Sequence, residues 1–260
     1  SLWAVVQADK RFHRIGLPIM FRRIIVSSVS QLDGFLEMLI HSSYPRGLVK
    51  SLWLGWASDT LINTPSPQGS DAESVMVLDE DEDISIEDIE ELFNDAKISP
   101  LPNGMIPSIL EERPWIKSLL VLHLLPNLED LRIAFSTPRF EGILSQMMQR
   151  RLLSTKLRVV RRTAVQGVID ADVLVPSFLY PSVTEIYGHR IVSSEMELQC
   201  DWLLPRGTTF SSVIGTSNVD HIELHESRLD TDVIEGILQL PRALRTLVYS
   251  DAGTEYERMK

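Results

Sequence analysis

The hydrophobic positions of the chain follow two periods, one of three to four residues and one of two residues. The longer period predicts a helix over residues 29–42, whose apolar face holds Leu32, Phe35, Leu36 and Leu39. The shorter period predicts a strand in "GLVKSLWLGW" (47–56), where apolar and polar residues alternate and β-prone side chains are frequent. A chain that switches between these periods is expected to build an α/β fold.

The first 28 residues are predicted as two short helices followed by a strand. Residues 2–15 carry apolar side chains near helical spacing, and Gly16 and Pro18 predict the end of that helix. The segment "LPIMFRR" (17–23) is predicted as a second short helix, which leads into the β-prone run "IIVSS" (24–28).

Beyond residue 100 a weak unit recurs, in which the apolar anchors follow the pattern apolar-x-x-apolar-x-apolar. The first anchors of successive units lie 29, 26, 36 and 25 residues apart, at Leu128, Leu157, Val183, Val219 and Leu244. Predicted helices such as 139–153 and 229–241 lie between them. A strand followed by a helix at this repeat length is typical of a leucine-rich-repeat solenoid, whose units bury their apolar faces against one another. The alternative is an ordinary α/β domain whose strands start with similar turns.

The predicted fold is therefore α/β: an irregular right-handed leucine-rich-repeat solenoid with parallel strands inside and helices outside, preceded by short helices. Residues 1–26 are expected to form the helical segment, and residues 27–260 the repeat domain. Within it, residues 58–83 combine turn formers with a run of like charges, which predicts a disordered acidic insertion. Residues 85–96 are predicted to be helical again, with Ser85 as the N-cap.

Composition and charge are those of an ordinary globular protein, with 44% hydrophobic and 23% charged residues in a chain of 260. The formal net charge of −11 comes from one segment: residues 71–95 hold twelve acidic and no basic residues, which leaves 24 acidic against 25 basic residues elsewhere. A single cysteine, Cys200, cannot form an internal disulfide and fits a reducing compartment. No signal peptide or membrane span is visible, so the cytoplasm or the nucleus is the expected location. Because the chain opens on Ser1 inside a helical pattern, we expect a fragment of a longer protein.

Residues 2–24, "LWAVVQADKRFHRIGLPIMFRRI", resemble the second half of an F-box. The shared features are an apolar helix, a Lys-Arg-aromatic turn at residues 10–12, Pro18, and an aromatic residue followed by two arginines at residues 21–23. The Leu-Pro-rich first half is missing from this chain. An F-box followed by irregular repeats is similar to the fungal F-box/leucine-rich-repeat proteins.

This resemblance implies a substrate-recognition subunit of a Skp–cullin–F-box ubiquitin ligase. The F-box-like end would bind the Skp-type adaptor, and through it the cullin ligase, while the repeats would hold the protein to be ubiquitinated. The residues that the resemblance assigns to adaptor binding are Leu2, Val5, Phe12, Leu17 and Phe21. The alternative is that the aromatic and leucine side chains only cap the first repeat.

A binding face for an unidentified protein target follows from the strand pattern. If the anchors face the core, the residues between them face the opposite side of the sheet. The partner-binding residues predicted on that side are Trp53, Asp130, Arg132, Arg161, Glu185, Tyr187, His189, His221, Glu223 and His225. Aromatic, arginine, histidine and carboxylate side chains are common in protein-recognition hot spots. A solvated strand face without a ligand is the alternative.

Neither a metal nor a nucleic acid is expected to bind. On a strand, same-face neighbours are about 6.8 Å apart, so His221 and His225 would lie about 13 Å apart, too far to share one zinc ion. Residues 150–162 hold six basic residues and no acidic one, but without an aromatic stacking platform they favour a solvated edge. No cofactor and no membrane partner is predicted.

Enzyme signatures are also missing from the sequence. It contains no GxGxxG, Walker-type, GxSxG or HExxH motif, and Cys200 has the apolar neighbours of a buried residue rather than those of a nucleophile. No catalytic residue is therefore assigned. Two alternatives to the ubiquitin-ligase subunit remain: a leucine-rich-repeat scaffold with no ubiquitin connection, and an α/β hydrolase-like enzyme.

Overall fold

The computed structural model describes residues 10–55, 113–164, 167–193, 204 and 208–252. Its helices are α1 (Lys10–Phe21), α2 (Val29–His41), α3 (Ser43–Arg46), α4 (Pro114–His123), α5 (Pro138–Gln149), α6 (Val175–Leu179), α7 (Phe210–Val213) and α8 (Thr231–Gln239), with a 3-10 helix, Ala171–Leu174, directly before α6. Its strands are β1 (Arg23–Val26), β2 (Ser51–Leu54), β3 (Asp130–Ile133), β4 (Val159–Thr163), β5 (Ile169–Asp170), β6 (Glu185–His189), β7 (Ile191–Val192), β8 (His221–Ser227) and β9 (Thr246–Asp251).

Seven of these strands form one parallel sheet, in which they stand in the order in which they occur along the chain. The order is β1-β2-β3-β4-β6-β8-β9, and every neighbouring pair is parallel. Strands β5 and β7 pair in a separate two-stranded parallel sheet. The α/β class is confirmed, and so is the prediction that the strands after Leu128, Val183, Val219 and Leu244 are parallel members of one sheet.

Alternate residues of the strands are buried in a single core. In β3, for example, Leu131 and Ile133 are fully buried, while Asp130 and Arg132 are only half-buried. The first anchors of the repeating unit belong to the same core. Leu244 is partly buried, and the fully buried anchors are Leu128, Leu157, Val183 and Val219. Buried residues of α2, α4 and α5 join this core, so these helices pack on one side of the sheet.

Local signals explain where two of the helices begin. The side chain of Ser28 accepts a hydrogen bond from the backbone N–H of Gln31 at the start of α2. The hydroxyl of Thr137 accepts one from the backbone N–H of Phe140, and Pro138 occupies the first position of α5, where a missing N–H costs nothing. The helices predicted in these two regions and the one before β9 are confirmed as α2, α5 and α8.

The predicted end of the first helix at Gly16 is wrong, because α1 continues to Phe21 with Pro18 inside it. Proline has no backbone N–H, so the helix loses the bond to the carbonyl of Arg14. That loss falls in the last turn, where few residues follow, and the helix continues through it. The two short helices predicted here are one helix. Strand β1 follows this helix directly, so the predicted helical segment 1–26 contains a strand, and β1 pairs with β2.

An ion pair is buried on the core side of β4. Arg162 and Glu141 are 1% and 2% exposed, and their side chains are bonded to each other. Burial raises the pKa of the Glu141 carboxyl, and the neighbouring guanidinium and a hydrogen bond with Ser136 oppose that rise. The interpretation of residues 150–162 as a solvated edge is therefore wrong for Arg162, which occupies the third anchor position of its unit.

Three sequence predictions lie outside the described residues: the acidic insertion 58–83, the helix 85–96 and the buried Cys200. Among the described helices, none combines the length and the apolar character needed to cross a bilayer.

Candidate functional site

The side of the sheet opposite the helices presents rows of side chains that we call the open face. The rows form because neighbouring parallel strands, about 4.8 Å apart, are in register. The first row is Arg23, Ser51, Asp130, Val159, Glu185, His221 and Thr246. The second row is Ile25, Trp53, Arg132, Arg161, Tyr187, Glu223 and Val248. The third includes Thr163, His189 and His225. All ten predicted partner-binding residues lie on this face, and the structure brings them together.

Strands β2 and β3 carry a stacked pair that we call the donor cluster, Trp53 and Arg132. The Cζ atom of Arg132 lies 4.8 Å from the centroid of the Trp53 ring, a cation–π contact. Both Trp53 Nε1 and Arg132 Nε are buried, and neither has a hydrogen-bond acceptor in the described part of the chain. A buried donor without an acceptor costs about 1–3 kcal/mol, so such groups are rare and call for a physical explanation.

Beside the donor cluster, Arg161 of β4 is fully engaged. Its Cζ atom lies 3.8 Å from the centroid of the Tyr187 ring, and its Nε donates to Asp130 Oδ1 at 3.2 Å. The Tyr187 hydroxyl donates to Glu185 Oε2 at 2.9 Å. Burial, together with this hydrogen bond, raises the pKa of Tyr187, which keeps the phenol a donor.

Strand β8 carries a second group, the histidine–glutamate cluster, formed by His221, Glu223 and His225. Nε2 of His221 lies 2.7 Å from Glu223 Oε1, and Nε2 of His225 lies 3.1 Å from Glu223 Oε2. The bonds from His225 and His221 lower the pKa of Glu223, since they favour the ionised carboxylate. The His221 ring also packs on Tyr187 of β6, with centroids 5.4 Å apart.

At the ends of β6 and β8, Glu226 joins two basic side chains. Glu226 Oε2 lies 3.2 Å from Arg190 Nε and 3.3 Å from His189 Nε2. The bond from Arg190 and the charge of His189 lower the pKa of Glu226. Arg190 and Glu226 both have the left-handed backbone conformation, with φ of 60° and 47°. Sequence analysis missed both residues, because the regular strand pattern does not anticipate a left-handed residue at the strand end.

The chemistry available on the open face is that of hydrogen bonding, ion pairing and aromatic contact. No group of three His, Cys, Asp or Glu side chains within the described ranges is arranged to hold a metal ion. The side chains of His221, Glu223 and His225 bond to one another along the strand instead. An exposed mixture of this kind is suited to recognising another protein.

The predicted adaptor-binding residues are only partly covered by the structure. Leu2 and Val5 lie outside the described residues, and so does the side chain of Phe12, whose backbone belongs to α1. Leu17 is buried, with 6% of its surface exposed, and Phe21 is half-buried. Leu17 therefore contributes to packing within this chain.

Apolar side chains that sequence analysis did not select are exposed near the start of the chain. Ile15 and Ile19 of α1 are 65% and 66% exposed and, being four residues apart, share one face of the helix. Ile25 of β1 and Tyr44 of α3 are each 53% exposed. The four-residue spacing of Ile15 and Ile19 could have indicated a shared helix face. The prediction of a helix end at Gly16 placed the two residues in different helices.

A surface pocket of about 340 Å³ lies away from the open face. Its lining includes Arg46, His123, Arg151 and Ser154, and it contains none of the open-face residues. The Ser154 hydroxyl donates to the carbonyl of Pro126 at 2.9 Å. The pocket therefore offers a concave site of its own, separate from the rows of the sheet.

No family model matches the chain, and comparisons with curated proteins and with solved structures give no significant match.

Proposed function

We propose that the chain is a non-catalytic protein-recognition module, the substrate-recognition subunit of a Skp–cullin–F-box ubiquitin ligase in the cytoplasm or nucleus. Its strands and helices would form an irregular leucine-rich-repeat solenoid. Adaptor binding at the F-box-like end and target binding on the open face would raise the concentration of the target near the ligase. The F-box resemblance of residues 2–24 supports the ligase connection.

The observation that carries the proposal is the open face itself. Seven parallel strands in chain order align Arg, aromatic, His and carboxylate side chains in continuous rows. Arg161 and Tyr187 form a preformed stack at its centre, which reduces the side-chain entropy lost on binding. Aromatic and arginine side chains held in this way are the usual anchors of protein interfaces.

The test of target binding uses the full-length tagged protein and cross-linking mass spectrometry. The double variant Tyr187→Ala/His189→Ala should lose, severalfold or more, the proteins that the unchanged protein captures. A matched control is Arg245→Ala/Glu235→Ala, two exposed positions outside the rows of the open face. Equal capture by all three proteins would remove the open face from recognition.

The test of the ligase connection is co-purification with the Skp-type adaptor. Ile15→Asp/Ile19→Asp changes two exposed side chains of α1, so the fold should survive while the adaptor is lost. Ser30→Asp, an exposed position in α2, is the control. Unchanged adaptor binding by the isoleucine variant would exclude this face of α1. A full-length protein that captures targets without the adaptor would be a repeat scaffold outside the ubiquitin system.

A further inference from the structure

The donor cluster is a part of the open face whose charge is not neutralised within the described chain. Arg161 of the open face is paired with Asp130, whereas Arg132 stacks on Trp53 and has no carboxylate within ion-pair distance in the described ranges. In the register of the sheet, its neighbours in the row are Trp53 and Arg161. Arg132 therefore keeps a positive charge that nothing described beside it compensates.

The hydrogen-bonding groups of Trp53 and Arg132 determine which kind of ligand the donor cluster would bind. An indole N–H and a guanidinium are donors only, so neither can satisfy the other. Trp53 Nε1 and Arg132 Nε both lack an acceptor among the described groups. A carboxylate accepts several hydrogen bonds and forms charge-assisted, often bidentate bonds with arginine. Since Arg132 Nε is buried, such a carboxylate would meet the guanidinium at its terminal nitrogens.

Small residues border this site. Gly55 follows β2, and a Cβ atom there would lie 2.8 Å from Trp53 Nε1 and 2.8 Å from the Cβ of Ala134. A larger side chain at position 55 would therefore displace the indole. Gly55 and Ala134 are themselves buried, so their small size leaves room for the indole, which lies beside Arg132.

We infer that the donor cluster recognises a carboxylate of the protein target, an aspartate or glutamate side chain flanked by an apolar residue that packs on Trp53. This inference rests on the proposed function and names the chemistry of its target. Arg132 binds the carboxylate, Trp53 holds the guanidinium in place, and Gly55 leaves room for the indole. The other acids of the open face are already bonded to Arg161, Tyr187 or histidines, so they do not compete for Arg132.

The experiment measures binding of positional-scanning libraries of nine-residue peptides to the full-length protein. The fixed residue is Glu, Gln or phosphoserine. We expect Glu libraries with apolar neighbours to bind about tenfold or more tightly than Gln libraries, as a charge-assisted hydrogen bond predicts. Arg132→Gln should remove this preference, while the control Arg245→Gln, exposed and outside the rows of the open face, should keep it.

The indole N–H signal of Trp53, identified with Trp53→Phe, reports where the peptides bind. It should shift when a Glu library is added and stay in place with the Gln library. A tighter phosphoserine library would assign the site to phosphate, and a Trp53 signal that moves on deletion of residues 60–83 would assign it to the chain's own acidic segment. Either outcome overturns the inference.

Failure of this inference and of the proposed function can be told apart. Peptides that bind without any acid preference, but are lost on Tyr187→Ala, would reject the carboxylate site and retain the open face as a recognition surface. If the protein selects no peptide and captures no target, both proposals are wrong.

Discussion

On β8 of the open face, both oxygens of Glu223 meet a histidine, whereas on β2 and β3 the guanidinium of Arg132 meets only the Trp53 ring among the described residues. The two regions use similar side chains, an aromatic residue next to charged ones, in the same rows of the same sheet. They differ in whether the hydrogen-bonding groups already have partners. A satisfied network holds its own geometry, while an arginine without a carboxylate partner can still form a charge-assisted hydrogen bond with an acidic ligand.

Two clusters in the same rows of the sheet therefore need not have the same role. The histidine–glutamate cluster and Arg161 form a rigid, internally bonded part of the open face. The donor cluster is the part where an acidic partner would add an ion pair, because Arg132 has no carboxylate partner among the described residues. Substitutions in the strand between the two regions, at the glycines beside them and at the charged groups themselves should affect the two regions differently.

The largest effect is expected at Arg162, because its strand, β4, lies between the two regions. Arg162→Leu leaves Glu141 buried without its counter-ion and should lower the free energy of unfolding by about 3–5 kcal/mol. The double variant Glu141→Leu/Arg162→Leu should recover most of the loss, since an apolar pair needs no compensation. Urea denaturation measures both.

The exposed Arg158, just before β4, is the control for the Arg162 change. Arg158→Leu should change the free energy of unfolding by less than about 0.5 kcal/mol. A similarly small loss for Arg162→Leu would mean that the ion pair does not stabilise β4. The two regions would then not depend on this ion pair for their common sheet.

A smaller effect is expected at two glycines, one beside each region. A Cβ at Gly188 of β6 would lie 2.6 Å from Leu224 Cδ2 and 2.7 Å from Ile191 Cγ1, on the core side. Gly188→Ala and Gly55→Ala should each cost about 1–3 kcal/mol by overpacking. Only Gly55→Ala should shift the indole N–H signal of Trp53, because only that Cβ meets the indole.

Gly34 in α2 is the matched control, because a Cβ there would contact nothing within 4 Å. Gly34→Ala should stabilise the protein by about 0.5–1 kcal/mol through the helix propensity of alanine. If Gly188→Ala moved the Trp53 signal as much as Gly55→Ala, the two regions would be coupled rather than distinct.

The sequence predicted the sheet well because the strand anchors repeat locally. Once Leu128, Val183 and Val219 are placed in the core, alternation alone assigns Arg132 and Tyr187 to the opposite face. All ten predicted partner-binding residues follow from that step. The contacts between strands do not, because they depend on the register between strands that are about 26 to 79 residues apart.

The errors also have physical causes. The same anchor pattern placed Arg162 at a core position, but an arginine there was interpreted as exposed because its partner, Glu141, is 21 residues away on α5. Gly16 and Pro18 were interpreted as a helix end, although Pro18 falls in the last turn of α1. In both cases a contact or a position in three dimensions outweighs a local preference.

The smallest effect is expected in the pH dependence of the free energy of unfolding, compared between Glu223→Gln and Arg132→Gln. Hydrogen bonds from His225 and His221 lower the pKa of Glu223 in the folded state, so this carboxylate stabilises the protein above its ordinary pKa. That stabilisation, about 1 kcal/mol for bonds of this kind, is lost as the pH falls through the lowered pKa. The difference in unfolding free energy between the unchanged protein and Glu223→Gln should therefore shrink as the pH falls from about 5 to about 3. For Arg132→Gln, the loss of the cation–π contact, about 0.5–1 kcal/mol, should stay constant over the same range, since no described carboxylate is bonded to Arg132. A loss for Arg132→Gln that also disappears in acid would show that a carboxylate already pairs with Arg132, and the contrast between the two regions would not hold.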